Sequence, residues 1–530
     1  MAVAIARPSL RVPEGPFRNE PPIDFTKDEK ALRAMHAGVE KVRAELGREY
    51  DLVIGGQRIR TKDKITSINP ARPSQVVGIH QKAGREHAAP AVEAALAAFE
   101  RWSRTPVEQR ASIVLRAGDI LRARKFEYMA WLVFEVGKNF AEADGDVGET
   151  IDFCEYYSRE ALRLSEIVMP VQLPGERDVL RYIPLGVGAV IPPWNFPSAI
   201  MAGMTLASIV SGNTVVLKPS SDSPTIAAKF HEILLEAGLP DGVVNFCPGS
   251  GASFGNALVE HPKTRYIAFT GSKEVGLDIH QRAATPRPGQ IWIKRTILEM
   301  GGKDAIIVDA DANLDAAVEG VAVSAFGFSG QKCSACSRAI VDERIYDVFL
   351  ERLKERVEKI QVGDPTENKA MGPVVNEAAM KSIQEYIEIG KKEGRLITGG
   401  GRAAEAGEGF YLQPTVIADV APTARLAQEE VFGPVLAVIK AKDFDDALAI
   451  ANNTEFGLTG AVYTTSKEKI ERAKNEFHVG NLYINRKCTG AICGVHPFGG
   501  FNMSGTDSKS GGPDYLYLFT QGKSIGEKLT

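Results

Sequence analysis

Val187-Gly188-Ala189-Val190-Ile191 and Asn213-Thr214-Val215-Val216-Leu217 are short apolar runs, and Ser198–Val210 between them carries small residues at helical spacing. The alternation continues downstream. Pro224–Glu236 has helical spacing and closes at Gly238, Val243–Phe246 reads as a strand, and Gly249–Val259 opens a helix. Arg265–Phe269 is the next strand and Lys273–Arg282 the next helix. Apolar strands of this length alternating with helices predict a parallel sheet covered by helices. Such sheets bind ligands at the carboxyl ends of their strands.

Upstream, the spacing predicts a helix over Lys27–Leu46 with Gly47 as its stop. Tyr50–Ile54 and Gln57–Arg60 flank Gly55-Gly56, a hairpin signal, and two or three amphipathic helices cover about 85–165. Downstream a second alternating section begins: strand Ala305–Val308, helix Asn313–Phe326, strand Arg338–Val341, helix Ile345–Ile360, and so on to Asn481–Ile484. Gly and Ser are then dense over Gly490–Gly512, and Tyr515–Thr520 is β-like. That tail cannot form its own core, so it is expected to pack on another part of the chain or on another subunit. The division that follows is an arm and helix (1–50), a dinucleotide-binding domain (51–297) and a catalytic domain (298–486). A β-like stretch near 168–183 interrupts the dinucleotide-binding domain, and residues 487–530 form a terminal segment.

The composition of the 530 residues, 44% hydrophobic and 25% charged with a net charge of −4, is that of a globular protein without a nucleic-acid footprint. No apolar stretch reaches the ~18 residues of a membrane span. Six cysteines make no disulfide framework and fit a reducing compartment, which points to the cytoplasm. The apolar run at Met1–Ala6 is too short for a signal peptide, although Arg7, Arg11 and Arg18 also fit a mitochondrial presequence.

Chemistry enters at Gly330-Gln331-Lys332-Cys333 and Glu299-Met300-Gly301-Gly302-Lys303. A cysteine after a flexible Gly-Gln turn suits an exposed nucleophile, and a glutamate before Gly-Gly suits a general base on mobile backbone. Cys333-Ser334-Ala335-Cys336 also reads as a redox pair or as half a zinc site, but no second CxxC exists to complete a metal set, so no metal is expected. Gly186-Val187-Gly188 precedes its strand, and Gly249-Ser250-Gly251 runs on to Gly255 one residue too late, so neither is a full dinucleotide fingerprint. Lys218-Pro219 at a strand end can reach ribose hydroxyls or phosphate, and Gly271-Ser272 opens a helix whose N–H groups suit a pyrophosphate.

Six motifs carry a resemblance: Pro193-Trp194-Asn195-Phe196-Pro197, Lys218-Pro219, Phe269-Thr270-Gly271-Ser272, Glu299–Lys303, Gly330–Cys333 and Glu430-Val431-Phe432-Gly433-Pro434. Their order is that of the aldehyde dehydrogenase superfamily, and the resemblance covers about residues 50–520. It implies an α/β fold with a Rossmann-type cofactor domain, an α/β catalytic domain and a small β oligomerisation segment. It also implies an NAD-dependent enzyme that acts on a small-molecule substrate as a homo-oligomer, a dimer or higher. In these terms Cys333 is the nucleophile, Glu299 activates the hydrolytic water, and Asn195 with the Cys333 backbone N–H holds the oxyanion. A thiol of ordinary pKa, ~8.5, must be partly ionised by its surroundings to serve. Glu430 would hold the nicotinamide ribose, with Phe432 and Trp194 beside the cofactor. Many NAD-preferring relatives carry Glu three residues after the lysine; here Ser221 stands there, which predicts NAD with some NADP use.

Within that superfamily, Thr489-Gly490-Ala491, Pro497-Phe498-Gly499-Gly500, Ser504-Gly505-Thr506 and Gly511-Gly512-Pro513 resemble the 1-pyrroline-5-carboxylate dehydrogenase branch in its stand-alone form. That branch oxidises L-glutamate γ-semialdehyde to L-glutamate in proline breakdown. By the same resemblance Gly490 and Ala491 would offer backbone N–H groups to the substrate carboxylate. Ser334 would add a hydroxyl and Lys332 positive charge, while Phe196 and Phe498 would flank the aliphatic part. Two alternatives stay open: a dehydrogenase of another semialdehyde, such as succinate semialdehyde, and a non-catalytic binding protein on the same fold.

Overall fold

The computed structural model describes residues 15–165, 167–169 and 171–529. The first of two large sheets contains β1 (Leu52–Ile54), β2 (Gln57–Ile59), β3 (Val187–Ile191), β4 (Thr214–Leu217), β5 (Val244–Phe246), β6 (Thr264–Thr270) and β7 (Arg295–Glu299). Its spatial order is β7-β6-β3-β4-β5-β1-β2. The five strands from β3 to β7 run parallel, and the β1–β2 hairpin adds an antiparallel edge. Strand order reverses between β3 and β6, so the loops after Ile191 and Thr270 splay apart and leave a crevice. Every residue of β3 and β4 is buried, which is why these strands read as continuous apolar runs rather than alternating ones.

The second sheet contains β8 (Ala305–Val308), β9 (Arg338–Asp342), β10 (Arg395–Thr398), β11 (Thr415–Ala418), β12 (Val435–Ala441), β13 (Thr459–Tyr463) and β14 (Asn481–Ile484). Its order is β10-β11-β12-β9-β8-β13-β14, parallel except for β10. Four helices, Ala88–Trp102, Val107–Ala123, Lys125–Val136 and Phe140–Leu164, fill the region where two or three were expected.

Two expectations need correction. Tyr50 belongs to a separate strand, Arg48–Tyr50, which pairs with Arg72–Gln81 and not with the hairpin. Tyr515–Phe519 is a 3₁₀ turn rather than a strand; its Tyr515, Leu516 and Phe519 are buried, so its apolar residues fill the core without sheet pairing. The strand of the tail is Thr520–Lys528, and it runs antiparallel to Glu176–Pro184 of the same chain. No helix among the described residues is long and apolar enough to cross a membrane.

Candidate active site

The crevice at the strand reversal is a cavity of about 710 Å³. Its wall includes Trp194 and Asn195 from the loop after β3, Lys218 and Ser221 after β4, and Gly271 and Ser272 after β6, together with Cys333, Glu430 and Phe432. Every residue assigned to the cofactor from sequence therefore faces one space. Lys218 is buried, which pushes its ammonium down to about 8, and it donates to the carbonyls of Pro219 (3.1 Å) and Gly249 (3.2 Å). Ser272 caps the helix Lys273–Ala284, its Oγ accepting from the Val275 N–H, and the N–H groups of that first turn suit a pyrophosphate. Gly271 must be glycine, since a Cβ there would lie 2.5 Å from the Phe269 ring. The Trp194 and Phe432 rings meet edge to face at 5.5 Å. This wall, with a lysine, a helix N-terminus and aromatic faces, fits a dinucleotide.

The turn before the nucleophile is not flexible. Phe328, Ser329 and Gly330 all have left-handed backbone, at φ +51, +56 and +67. A Cβ at Gly330 would lie 2.2 Å from the Gly433 carbonyl, so glycine is required twice over. The buried Gln331 side chain accepts from the Val375 N–H (2.8 Å) and donates to the carbonyls of Phe328 and Pro373 (3.3 Å each). Asn195 donates to the Gln331 carbonyl at 3.1 Å, which orients its amide beside Cys333.

The Cys333 thiol is half-buried on the cavity wall, and its surroundings do not ionise it. Burial first, then the charges of Asp304, Glu430 and Glu299, push it well above its ordinary range. The expected activation of the resting thiol is thus corrected: three carboxylates favour the neutral form. Glu430 Oε1 accepts from the Gly302 N–H at 2.9 Å, and burial raises this carboxyl to about 7.

Glu299 does not line the cavity. It ends β7, and its backbone is held on both edges rather than mobile: the Gly271 N–H donates to its carbonyl at 3.0 Å, and it bridges to Gly505 on the other side. Its side chain accepts from Ser508 Oγ, and burial pushes the carboxyl up to about 7.

The residues expected at the substrate's far end are also absent from the cavity wall. Lys332 is paired with Glu142 at 2.7 Å, a partner on the helix Phe140–Leu164 that sequence reasoning missed. Lys487 adds a further positive charge next to this pair. Phe196 faces Phe328 at 6.3 Å, and the buried Lys138 ammonium sits 3.8 Å from the Phe196 ring centroid. Lys138 is itself paired with Asp146 at 2.8 Å, and Asp146 accepts from the Ala199 N–H at 2.7 Å, which fixes the segment carrying Asn195 and Phe196. Phe498 exchanges two backbone hydrogen bonds with Ser510 (2.8 and 2.7 Å). Gly490 has φ +79, and the Arg486 guanidinium donates to its carbonyl at 3.1 Å. Ser334 is buried, and its carbonyl accepts from Cys488 Sγ at 3.4 Å. The Cys336 thiol donates to the Arg338 carbonyl at 3.5 Å, and all six cysteines are free.

Residues 58–525 match the aldehyde dehydrogenase family. The chain belongs to this family. It is 58% identical to 1-pyrroline-5-carboxylate dehydrogenase of Geobacillus thermodenitrificans, over 97% of this chain and 99% of that one. Among solved structures, a 1-pyrroline-5-carboxylate dehydrogenase from Thermus with bound NAD superposes with a TM-score of 0.95 at 52% identity, covering 97% of this chain and 99% of that one. Proline utilization A from Bdellovibrio bacteriovorus gives a TM-score of 0.95 at 46% identity, covering 98% of this chain and 54% of that one.

Proposed function

We propose that the protein oxidises L-glutamate γ-semialdehyde, the open form of 1-pyrroline-5-carboxylate, to L-glutamate with NAD. The observation that carries the substrate is the Glu142–Lys332 pair with Lys487 beside it, next to the segment that delivers Cys333. The far end of this substrate is zwitterionic. Its α-ammonium finds a partner in Glu142, and its α-carboxylate finds Lys332 and the N–H groups at Gly490 and Ala491. Succinate semialdehyde has no ammonium to meet Glu142.

Cys333 Sγ loses its proton to water and attacks the aldehyde carbon. The carbonyl oxygen becomes an oxyanion, to which Asn195 Nδ2 and the Cys333 N–H donate; one such donor is typically worth ~10²–10³ in rate. Bound NAD supplies the hydride acceptor, held by Lys218, Ser272, Glu430 and Phe432. Once the adduct on Cys333 has lost its hydride it is a thioester. Glu299 takes a proton from water as the water oxygen attacks, and the Cys333 sulfur leaves. A carboxyl at about 7 is well matched to that step near neutral pH. Ser221 carries no charge to repel a 2′-phosphate, so some NADP use is expected.

Cys333→Ala tests the assignment. NADH formation should vanish while cofactor binding, followed by the fluorescence of added NADH, persists, because the cofactor wall is left intact. Retained oxidation would overturn the role of Cys333. The relatives and the site chemistry support a small-molecule enzyme; assembly into a homo-oligomer and a cytoplasmic location complete the proposal.

A further inference from the structure

The C-terminal loop holds the Glu299 carboxylate in a cradle of neutral donors. Ser508 Oγ donates to Oε1, and the backbone N–H groups of Ser508 and Gly500 point at the same carboxylate. Oε2 takes no protein donor among the described residues. The strand before the carboxylate is sewn to the same loop: Met300 N–H donates to the Ser504 carbonyl (2.8 Å), Thr506 N–H to the Leu298 carbonyl (2.9 Å), and Leu298 N–H to Thr506 Oγ1 (2.9 Å).

The loop is shaped for this task at some conformational cost. Asp507 and Lys509, on either side of Ser508, have left-handed backbone at φ +53 and +41, a conformation that side chains rarely adopt. A Cβ at Gly499 would lie 3.0 Å from Glu299 Oε1, and one at Gly505 would lie 2.5 Å from the Leu298 carbonyl. The Lys509 ammonium, whose charge reaches Glu299, pairs with Asp507 (3.3 Å) and donates to the carbonyls of Gly480 (2.8 Å) and Gly499 (2.7 Å). A direct ion pair would keep the carboxylate charged and make it a poor base. Neutral donors fix its place and lower its basicity less than an ion pair would.

We infer that Ser508 is a positioning residue that acts through Glu299, holding the carboxylate at the edge of the site with Oε2 left to take the proton of the hydrolytic water. The inference rests on Glu299 being the deacylating base. The charged and titratable groups facing Glu299 are Lys509 from the loop, Cys333 from the nucleophile turn and Tyr515 from the 3₁₀ turn. Two residues on, Ser510 is paired to Phe498, so the same loop also carries a residue expected beside the substrate's aliphatic part.

The test is the pH dependence of acyl-enzyme decay in Ser508→Ala, read by acid quench and intact-protein mass after a single turnover. A lost hydrogen bond to a charged group raises the pKa of that group by about one unit. The half-maximal pH of decay should therefore move up by about one unit, and decay at pH 7 should slow several-fold. The NADH burst that precedes it should stay within about twofold. Ser508→Thr keeps the hydroxyl and should return the profile. Ser508→Cys, a weaker donor, should lie between the two, and it serves if the alanine variant does not fold. An unshifted decay profile in Ser508→Ala or Ser508→Cys would overturn the role of Ser508. Wild-type decay in Glu299→Gln would instead overturn Glu299 itself, whatever Ser508 does.

Discussion

Most of the cofactor wall comes from the strand ends of one sheet, at Trp194, Lys218 and Gly271, one to three residues past β3, β4 or β6. The substrate end is assembled from distant segments, with Lys332 meeting Glu142 across 190 residues. The first needs only topology, since a parallel sheet brings its carboxyl ends together whatever the loops contain. The second needs charge pairing between an inserted helix and the nucleophile turn. One fold can thus keep its cofactor chemistry while its far end is altered.

The largest expected effect lies where the two regions join. Glu299→Gln should give one burst of NADH near wild-type size and then stall, with the steady-state rate lowered at least ~100-fold. Rapid-mixing absorbance at 340 nm checks this. A proportional loss of burst and steady state would move Glu299 into the first step. For the wild type, a carboxyl at about 7 must be ionised to act, so hydrolysis should fall as pH drops through about 7.

Glu142→Gln probes the substrate end alone. It should lower kcat/KM for glutamate semialdehyde by roughly 10–100-fold, the worth of one charge-assisted contact, and leave succinate semialdehyde nearly unchanged. NAD affinity should not move. Equal losses on both aldehydes would mean that Glu142 serves only to brace Lys332.

Glu430→Gln probes the cofactor side with a smaller change. Removing one of three carboxylates that hold the thiol neutral should let iodoacetamide alkylate Cys333 at lower pH, several-fold faster at a fixed pH near 8. An unchanged alkylation profile would leave burial and Asp304 as the dominant causes.

Much of the first region was legible in the residues. Pro224–Glu236 and Ala305–Val308 keep their expected boundaries, because apolar periodicity and the bounding Gly and Pro mark them directly. All of the cofactor residues expected from motif order face one cavity. The second region was legible only in part. Glu142 sits on a long helix among acidic neighbours and reads as a solvated face until the fold brings Lys332 to it. Gly330-Gln331 looked flexible, yet three side-chain hydrogen bonds from Gln331 and a close approach to Gly433 make it rigid. Tyr515–Phe519 has β-like composition, but its aromatics are drawn into the core as a 3₁₀ turn. Each of these depends on contacts distant in sequence, which periodicity does not report.

The central claim is that the far end of the site selects an α-amino acid semialdehyde. It is tested most directly by steady-state NAD(P)H formation from glutamate semialdehyde and from succinate semialdehyde, run side by side with NAD and NADP. The structure predicts a kcat/KM at least ~10-fold higher for glutamate semialdehyde with NAD, and a lower but measurable rate with NADP. An equal or better rate on the aldehyde that lacks the α-amino group would contradict it.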